Sequence, residues 1–316
     1  MKRINVALVM TCFASVLIAD TARSAAPLGT SGSAGPVIHT EDVTRFYQVY
    51  DNTHGHPAAE ELQHDYLDLG SNGLREFAKL RRISGVAIAE ALTKHPEIYS
   101  DARRCMAVLP NVRRRLNVAL HTLGRLYPEA RFAPVTIAVG RGKPVGTTSV
   151  NTGVLIGLEA LCASNDQSDP DPSDRFVHVI AHEYAHIQQL SAYTNDENPT
   201  VLEAALIEGG AEFTAELISG GVAYYQAGVW ARGRENEIET AFVSDEDKTD
   251  LSKWFYNGKG TSDWLGDLGY WVGYRITKSY YQHAANKRQA LRDILEVSGP
   301  KLFLSRSGWY PGIQLH

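Results

Sequence analysis

Cysteine is scarce in this chain of 316 residues, with only Cys12, Cys105 and Cys162. So few thiols exclude a disulfide-dense scaffold and leave the fold to an apolar core, for which 44% hydrophobic residues suffice. Long apolar runs are equally scarce. The first, Ile4 to Ala19, follows Lys2 and Arg3 and precedes Ala22-Arg23-Ser24-Ala25, which is the pattern of a signal peptide over residues 1–24. No second run is long enough to span a bilayer, so the mature chain is expected to be exported, periplasmic or secreted, with no transmembrane span. Cys12 makes a poor lipobox, because apolar sequence continues past it and Thr11 precedes it. Positive charge is also short: removing residues 1–24 takes away Lys2, Arg3 and Arg23 against Asp20, so the net charge of −5 becomes −7. That balance argues against nucleic acid or an anionic membrane as partner. A phosphate loop is absent too, since Gly140-Arg141-Gly142-Lys143-Pro144 lacks GxxxxGK[ST] spacing and reads as a turn.

Composition divides the rest. Residues 25–39 form a Ser, Gly, Pro and Ala-rich leader, and residues 40–132 a helical N-terminal region. Its last segment, Asn111 to Tyr127, repeats Leu116, Leu120, Leu123 and Leu126 at helical spacing, with Arg113, Arg114 and Arg115 as a solvated face. Residues 133–316 then carry two short apolar runs, Pro134 to Val139 and Gly153 to Leu158, which read as strands. In an oxidising compartment Cys105 and Cys162 could form one disulfide, with two buried free thiols as the alternative.

His182-Glu183-Tyr184-Ala185-His186 carries the chemistry. On a helix, HExxH places two imidazoles on one face within reach of one Zn²⁺, and the intervening Glu183 beside a zinc-activated water as general base. Pro172-Ser173-Asp174 supplies the helix start, and Phe176, Val177, Ile180, Ala181, Tyr184 and Ile187 give the helical repeat. A catalytic zinc site needs a third protein ligand. Glu208, in Leu206-Ile207-Glu208-Gly209-Gly210-Ala211-Glu212-Phe213, is the next candidate, and Glu212 on the same face would accept the far N–H of a ligand histidine. Gly209 and Gly210 suit a backbone passing close beneath the HExxH helix. His178, one turn before His182, reads as a wall residue.

HExxH followed by EGxAEF resembles the gluzincin superfamily of metallopeptidases, in which the Glu of the second motif is the third zinc ligand. The metzincin pattern fails, because Gln189 and Ala192 stand where it requires Gly and His. Within the gluzincins, Phe46-Tyr47-Gln48-Val49-Tyr50-Asp51, HEYxHxxQ, EGxAEF and the late GYxxGY make the chain similar, from about Thr40 to Tyr281, to bacterial exported Zn-dependent proteases related to gliding-motility lipoproteins. The resemblance implies an α+β, mostly helical fold, with a gluzincin-like catalytic domain whose small edge-strand sheet lies next to the HExxH helix. It also implies an edge strand for extended substrate, expected at Asn151 to Leu158, and a Tyr that steadies the oxyanion. Tyr270 is the first choice and Tyr274 the second, the alternative being that both pack a helix through Gly273. Arg275 reads as a surface salt bridge.

The function expected is hydrolysis of peptide bonds in a peptide or protein substrate by a zinc-activated water, as an endopeptidase. An aminopeptidase or other amide hydrolase, and an envelope binding protein with a vestigial site, are the alternatives. Glu159 would bind a free amino terminus in the aminopeptidase reading and is a plain surface carboxylate otherwise. Asp166, Asp169, Asp171 and Asp174 are read as a helix-entry linker rather than a calcium loop.

Overall fold

The computed structural model describes residues 36–143, 145–149, 151–163, 169–189 and 197–315. The signal-peptide and lipobox readings, most of the leader, and Asp166 lie outside the described residues. The chain is mostly helical with one small sheet. Its four strands are β1 (Ile38–His39), β2 (Val135–Ala138), β3 (Gly146–Ser149) and β4 (Gly153–Gly157), in the order β1-β2-β4-β3. β1 and β4 run parallel to β2, and β3 runs antiparallel to β4.

This order corrects the edge-strand expectation. β4, within Asn151 to Leu158, is interior, and β3 is the edge strand on that side, with β1 at the other edge. The reason is composition: Val154, Leu155 and Ile156 are fully buried and need neighbours on both sides, whereas Gly146-Thr147-Thr148-Ser149 tolerates a wet edge.

Two helices with well-made starts carry the candidate residues. The HExxH helix (Pro172–Gln188) is capped by Asp171, whose carboxylate accepts from the Ser173 and Asp174 amides at 2.8 and 3.0 Å, with Pro172 in the first turn. The EGGAEF helix (Val201–Ser219) opens on a reciprocal capping box between Thr200 and Glu203 and closes on Gly220 at φ 91°. Its glycines do permit a close approach, but to a different helix. A Cβ on Gly209 would overlap the Gly273 backbone, and one on Gly273 would overlap the Ala205 carbonyl, so the EGGAEF helix crosses the C-terminal helix (Leu268–His283) backbone to backbone. Thr277 Oγ1 donates to Gly209 O across this crossing at 3.1 Å.

The N-terminal helices share a continuous core with the rest, from Ile38 to Phe303. Tyr66 and Tyr99 reach Val139 O and Gly140 O just beyond β2, at 2.6 and 3.1 Å. A disulfide joins Cys105, the last residue of helix Pro96–Cys105, to Cys162, the last of helix Leu158–Cys162, with Cα atoms 6.0 Å apart. Each of the three arginines has a partner: Arg113 donates to Ile38 O, Arg114 to Asn111, and Arg115 pairs with Asp174. Among the described residues no helix is long and apolar enough to cross a membrane.

Candidate metal centre

The HExxH helix and the EGGAEF helix bring His182, His186 and Glu208 together, with one potential ligand atom from each within 4.8 Å of the others. His182 Nε2 and His186 Nε2 stand 3.1 Å apart, and each lies 3.3 Å from Glu208 Oε2. His182 and Glu208 are buried and His186 nearly so. Glu208 Oε2 has no hydrogen-bond partner, although it is shielded from water. A buried carboxylate oxygen without a donor is costly, and with both imidazoles neutral and bare at Nε2 three lone pairs would converge on one point. Two imidazoles and one carboxylate are the donor set that suits zinc with one position left open.

The rear side of His182 fits the same reading. Its Nδ1 lies 2.7 Å from Glu212 Oε1, an ion-pair contact without the geometry of a straight hydrogen bond. Glu212 Oε2 accepts from the Tyr224 amide at 3.3 Å, so the carboxylate is itself held. Burial opposes the charged imidazolium of His182, but the Glu212 and Glu208 carboxylates outweigh it and push its pKa up to about 10. His186 moves the same way, burial again being outweighed by Glu208. Burial also works against the Glu208 carboxylate, yet the two imidazoles hold its pKa down to about 2. The pocket therefore favours positive charge at its centre, which a divalent cation supplies.

Glu183 lies next to the edge strand. A Cβ on Gly146 of β3 would stand 3.1 Å from Glu183 Oε1 and 3.3 Å from Cδ, so glycine leaves the space that this carboxylate occupies. Burial pushes the Glu183 pKa up, against a smaller opposing pull from the His186 and His182 imidazoles. Arg81, at the end of helix Asn72–Arg81, also pulls it down and donates to Gly146 O at 3.4 Å.

Tyr270 is fully buried, its ring centroid 6.1 Å from that of His182. Tyr224, which the sequence reading missed, stacks on Tyr270 at 4.1 Å and lies 6.5 Å from the His182 ring. It follows Gly220-Gly221 in a turn, where no periodic pattern marks it. Tyr274 is engaged elsewhere: its hydroxyl donates to Glu216 at 2.9 Å and accepts from Lys278 at 2.9 Å. His178 is buried beside Gly221 and stands outside the three-residue cluster.

Two readings are corrected. Glu159 is no surface carboxylate and does not face the cluster: it is fully buried, and its two oxygens accept from the Gly140 and Gly142 amides at 2.9 and 3.0 Å. Arg275 is no surface salt bridge, because it pairs with the fully buried Glu239, which also accepts from Trp309 Nε1 and the Gly312 amide. The aspartates of the helix entry act as expected of a linker, with Asp169 accepting from the Asp171 amide and Asp171 capping the helix.

No curated protein and no solved structure matches the chain. The family described as Predicted Zn-dependent protease (DUF2268) matches residues 158–297, under half of the chain, and that span holds HExxH, Glu208, Glu212, Tyr224 and Tyr270.

Proposed function

We propose that the chain is an exported zinc-dependent peptidase, with His182, His186 and Glu208 as metal ligands. The observation that carries this reading is the convergence within 3.3 Å of His182 Nε2, His186 Nε2 and Glu208 Oε2, a buried oxygen that no hydrogen bond satisfies. Zinc, when bound, polarises a carbonyl and lowers the pKa of a water toward neutrality.

The chain's own residues supply the rest. Glu183, with its pKa raised by burial, is suited to accept a proton and to return it to a leaving amine. Burial, and then the Glu208 charge, pushes the Tyr270 phenol well above its ordinary value of 10.0, so it remains an O–H donor for a developing oxyanion. Glu212 holds His182 from behind.

β3 suits extended substrate. The Gly157 amide donates to Val145 O, so alternation along the antiparallel pair turns the amides and carbonyls of Gly146 and Thr148 away from β4. A peptide added there would run beside Gly146, the residue against which Glu183 rests. Burial of Glu159 removes the residue that the aminopeptidase reading needed, which favours an endopeptidase. The disulfide supports export into an oxidising compartment.

Metal analysis tests the ligand set. The purified wild type is expected to hold one equivalent of zinc and Glu208→Ala much less; a Glu208→Ala protein that keeps a full equivalent refutes the third-ligand assignment.

A further inference from the structure

The geometry points to Gln189 as the positioning residue that fixes which nitrogen of His186 meets the metal and ties that imidazole to the backbone beside Glu208. This rests on the proposed zinc site. Gln189 is buried, just past the end of the HExxH helix. Its Nε2 stands 2.6 Å from the Ile207 carbonyl oxygen, and its Oε1 2.7 Å from His186 Nδ1.

The Ile207 carbonyl fixes the orientation of the Gln189 amide. A backbone carbonyl can only accept, so the amide must present its NH₂ there and its oxygen to the imidazole. An amide oxygen can only accept, so His186 Nδ1 must carry the proton. In the neutral ring Nε2 is then the free lone pair, and Nε2 is the atom that faces His182 Nε2 and Glu208 Oε2. His182 reaches the same state by another route, because its Nδ1 faces the Glu212 carboxylate.

The second arm gives the residue a further role. Ile207 immediately precedes Glu208 in the EGGAEF helix, so one side chain bridges both ligand-bearing helices at the cluster. The amide also packs against this helix at Gly210, where a Cβ would stand in ordinary contact, 3.5 Å from Gln189 Nε2. The neighbouring Gln188 is an internal control. It is also buried, but its amide clasps Arg131, accepting from the Arg131 amide at 2.8 Å and donating to its carbonyl at 2.9 Å.

The test uses the zinc-loaded protein with ¹⁵N-labelled histidine, and zinc dissociation constants from chelator competition. In the wild type, NMR should show His186 bound through Nε2 with a slowly exchanging Nδ1–H. Gln189→Leu should raise the zinc Kd by roughly 10–100-fold and expose Nδ1–H to exchange. Gln189→Glu, which keeps the acceptor, should retain the protected Nδ1–H. Gln188→Leu should lower thermal stability and leave zinc Kd and the His186 signals unchanged. Metal coordination through Nδ1 in the wild type overturns the inference whether or not any variant folds, as does a Gln189→Leu Kd within twofold of the wild type. A wild type that binds no zinc overturns instead the function on which the inference rests.

Discussion

Glu159 and Glu208 are both buried carboxylates, and the difference between their surroundings separates structure from chemistry in this molecule. Glu159 sits among the aromatic residues of the N-terminal helices, where two backbone amides beyond β2 satisfy its oxygens. Tyr66 and Tyr99 bind backbone at the same place. Every group there finds its partner within the protein, so the cluster is a lock that holds the sheet to the N-terminal region. Glu208 instead points an oxygen without a donor at two imidazole nitrogens, beside a carboxylate, Glu183, which is itself pushed up in pKa by burial. A fold keeps groups in such an arrangement when something from outside completes it.

Substituting the two glutamates should break the molecule in opposite ways, and this is the largest effect expected. Glu208→Ala should weaken zinc binding by more than the roughly 10–100-fold that loss of an outer partner costs. Glu159→Ala should leave zinc affinity unchanged but lower folding stability by about 1–3 kcal/mol for each amide left unpaired, read by denaturant unfolding of the metal-free protein. The reverse pattern would show that the two sites had been assigned the wrong way round. Tyrosines offer the same contrast. Tyr270→Phe should lower kcat by roughly 10²–10³-fold, whereas Tyr66→Phe should cost about 1 kcal/mol of stability with kcat unchanged. Equal kcat values for wild type and Tyr270→Phe would remove the phenol from the reaction.

Glu212→Gln tests the rear support of His182. Zinc affinity should fall by roughly 10–100-fold while the fold survives, and an unchanged Kd would make Glu212 mere packing. The smallest effect concerns pH. Metal ligation needs the neutral imidazole, and the carboxylates raise the pKa of both histidines above the ordinary 6.5. Protons therefore compete with zinc beyond the usual histidine range, and zinc affinity should keep rising as pH goes from 7 to 8.5. A flat Kd over that interval would contradict the raised values.

The His182, His186 and Glu208 cluster was legible in the sequence because its information is local. HExxH at i and i+4 and the Glu208–Glu212 pair each need only a helix to be placed, and Asp171 and Thr200 cap the two helices that carry them. What it hid depends on partners far along the chain. Gly146-Thr147-Thr148-Ser149 has no alternation of its own and becomes a strand only by pairing with β4, which then loses its own place at the edge. Gly209 announced a close approach but could not name Gly273 as the other side. Glu159 and Arg275 looked exposed because their partners are backbone amides and a distant Glu239. In the sequence Gln189 says only that the glycine of another motif is missing; the position of the Ile207 carbonyl gives its amide an orientation.

The central claim is peptide hydrolysis at this centre with Glu183 moving the proton. The most direct measurement incubates the zinc-loaded protein and its Glu183→Gln variant with a diverse peptide library and reads new termini by mass spectrometry. Internal cuts by the wild type, lost in a variant that keeps its zinc, are the predicted result. Equal cleavage by both proteins, or none by the zinc-loaded wild type, would contradict it.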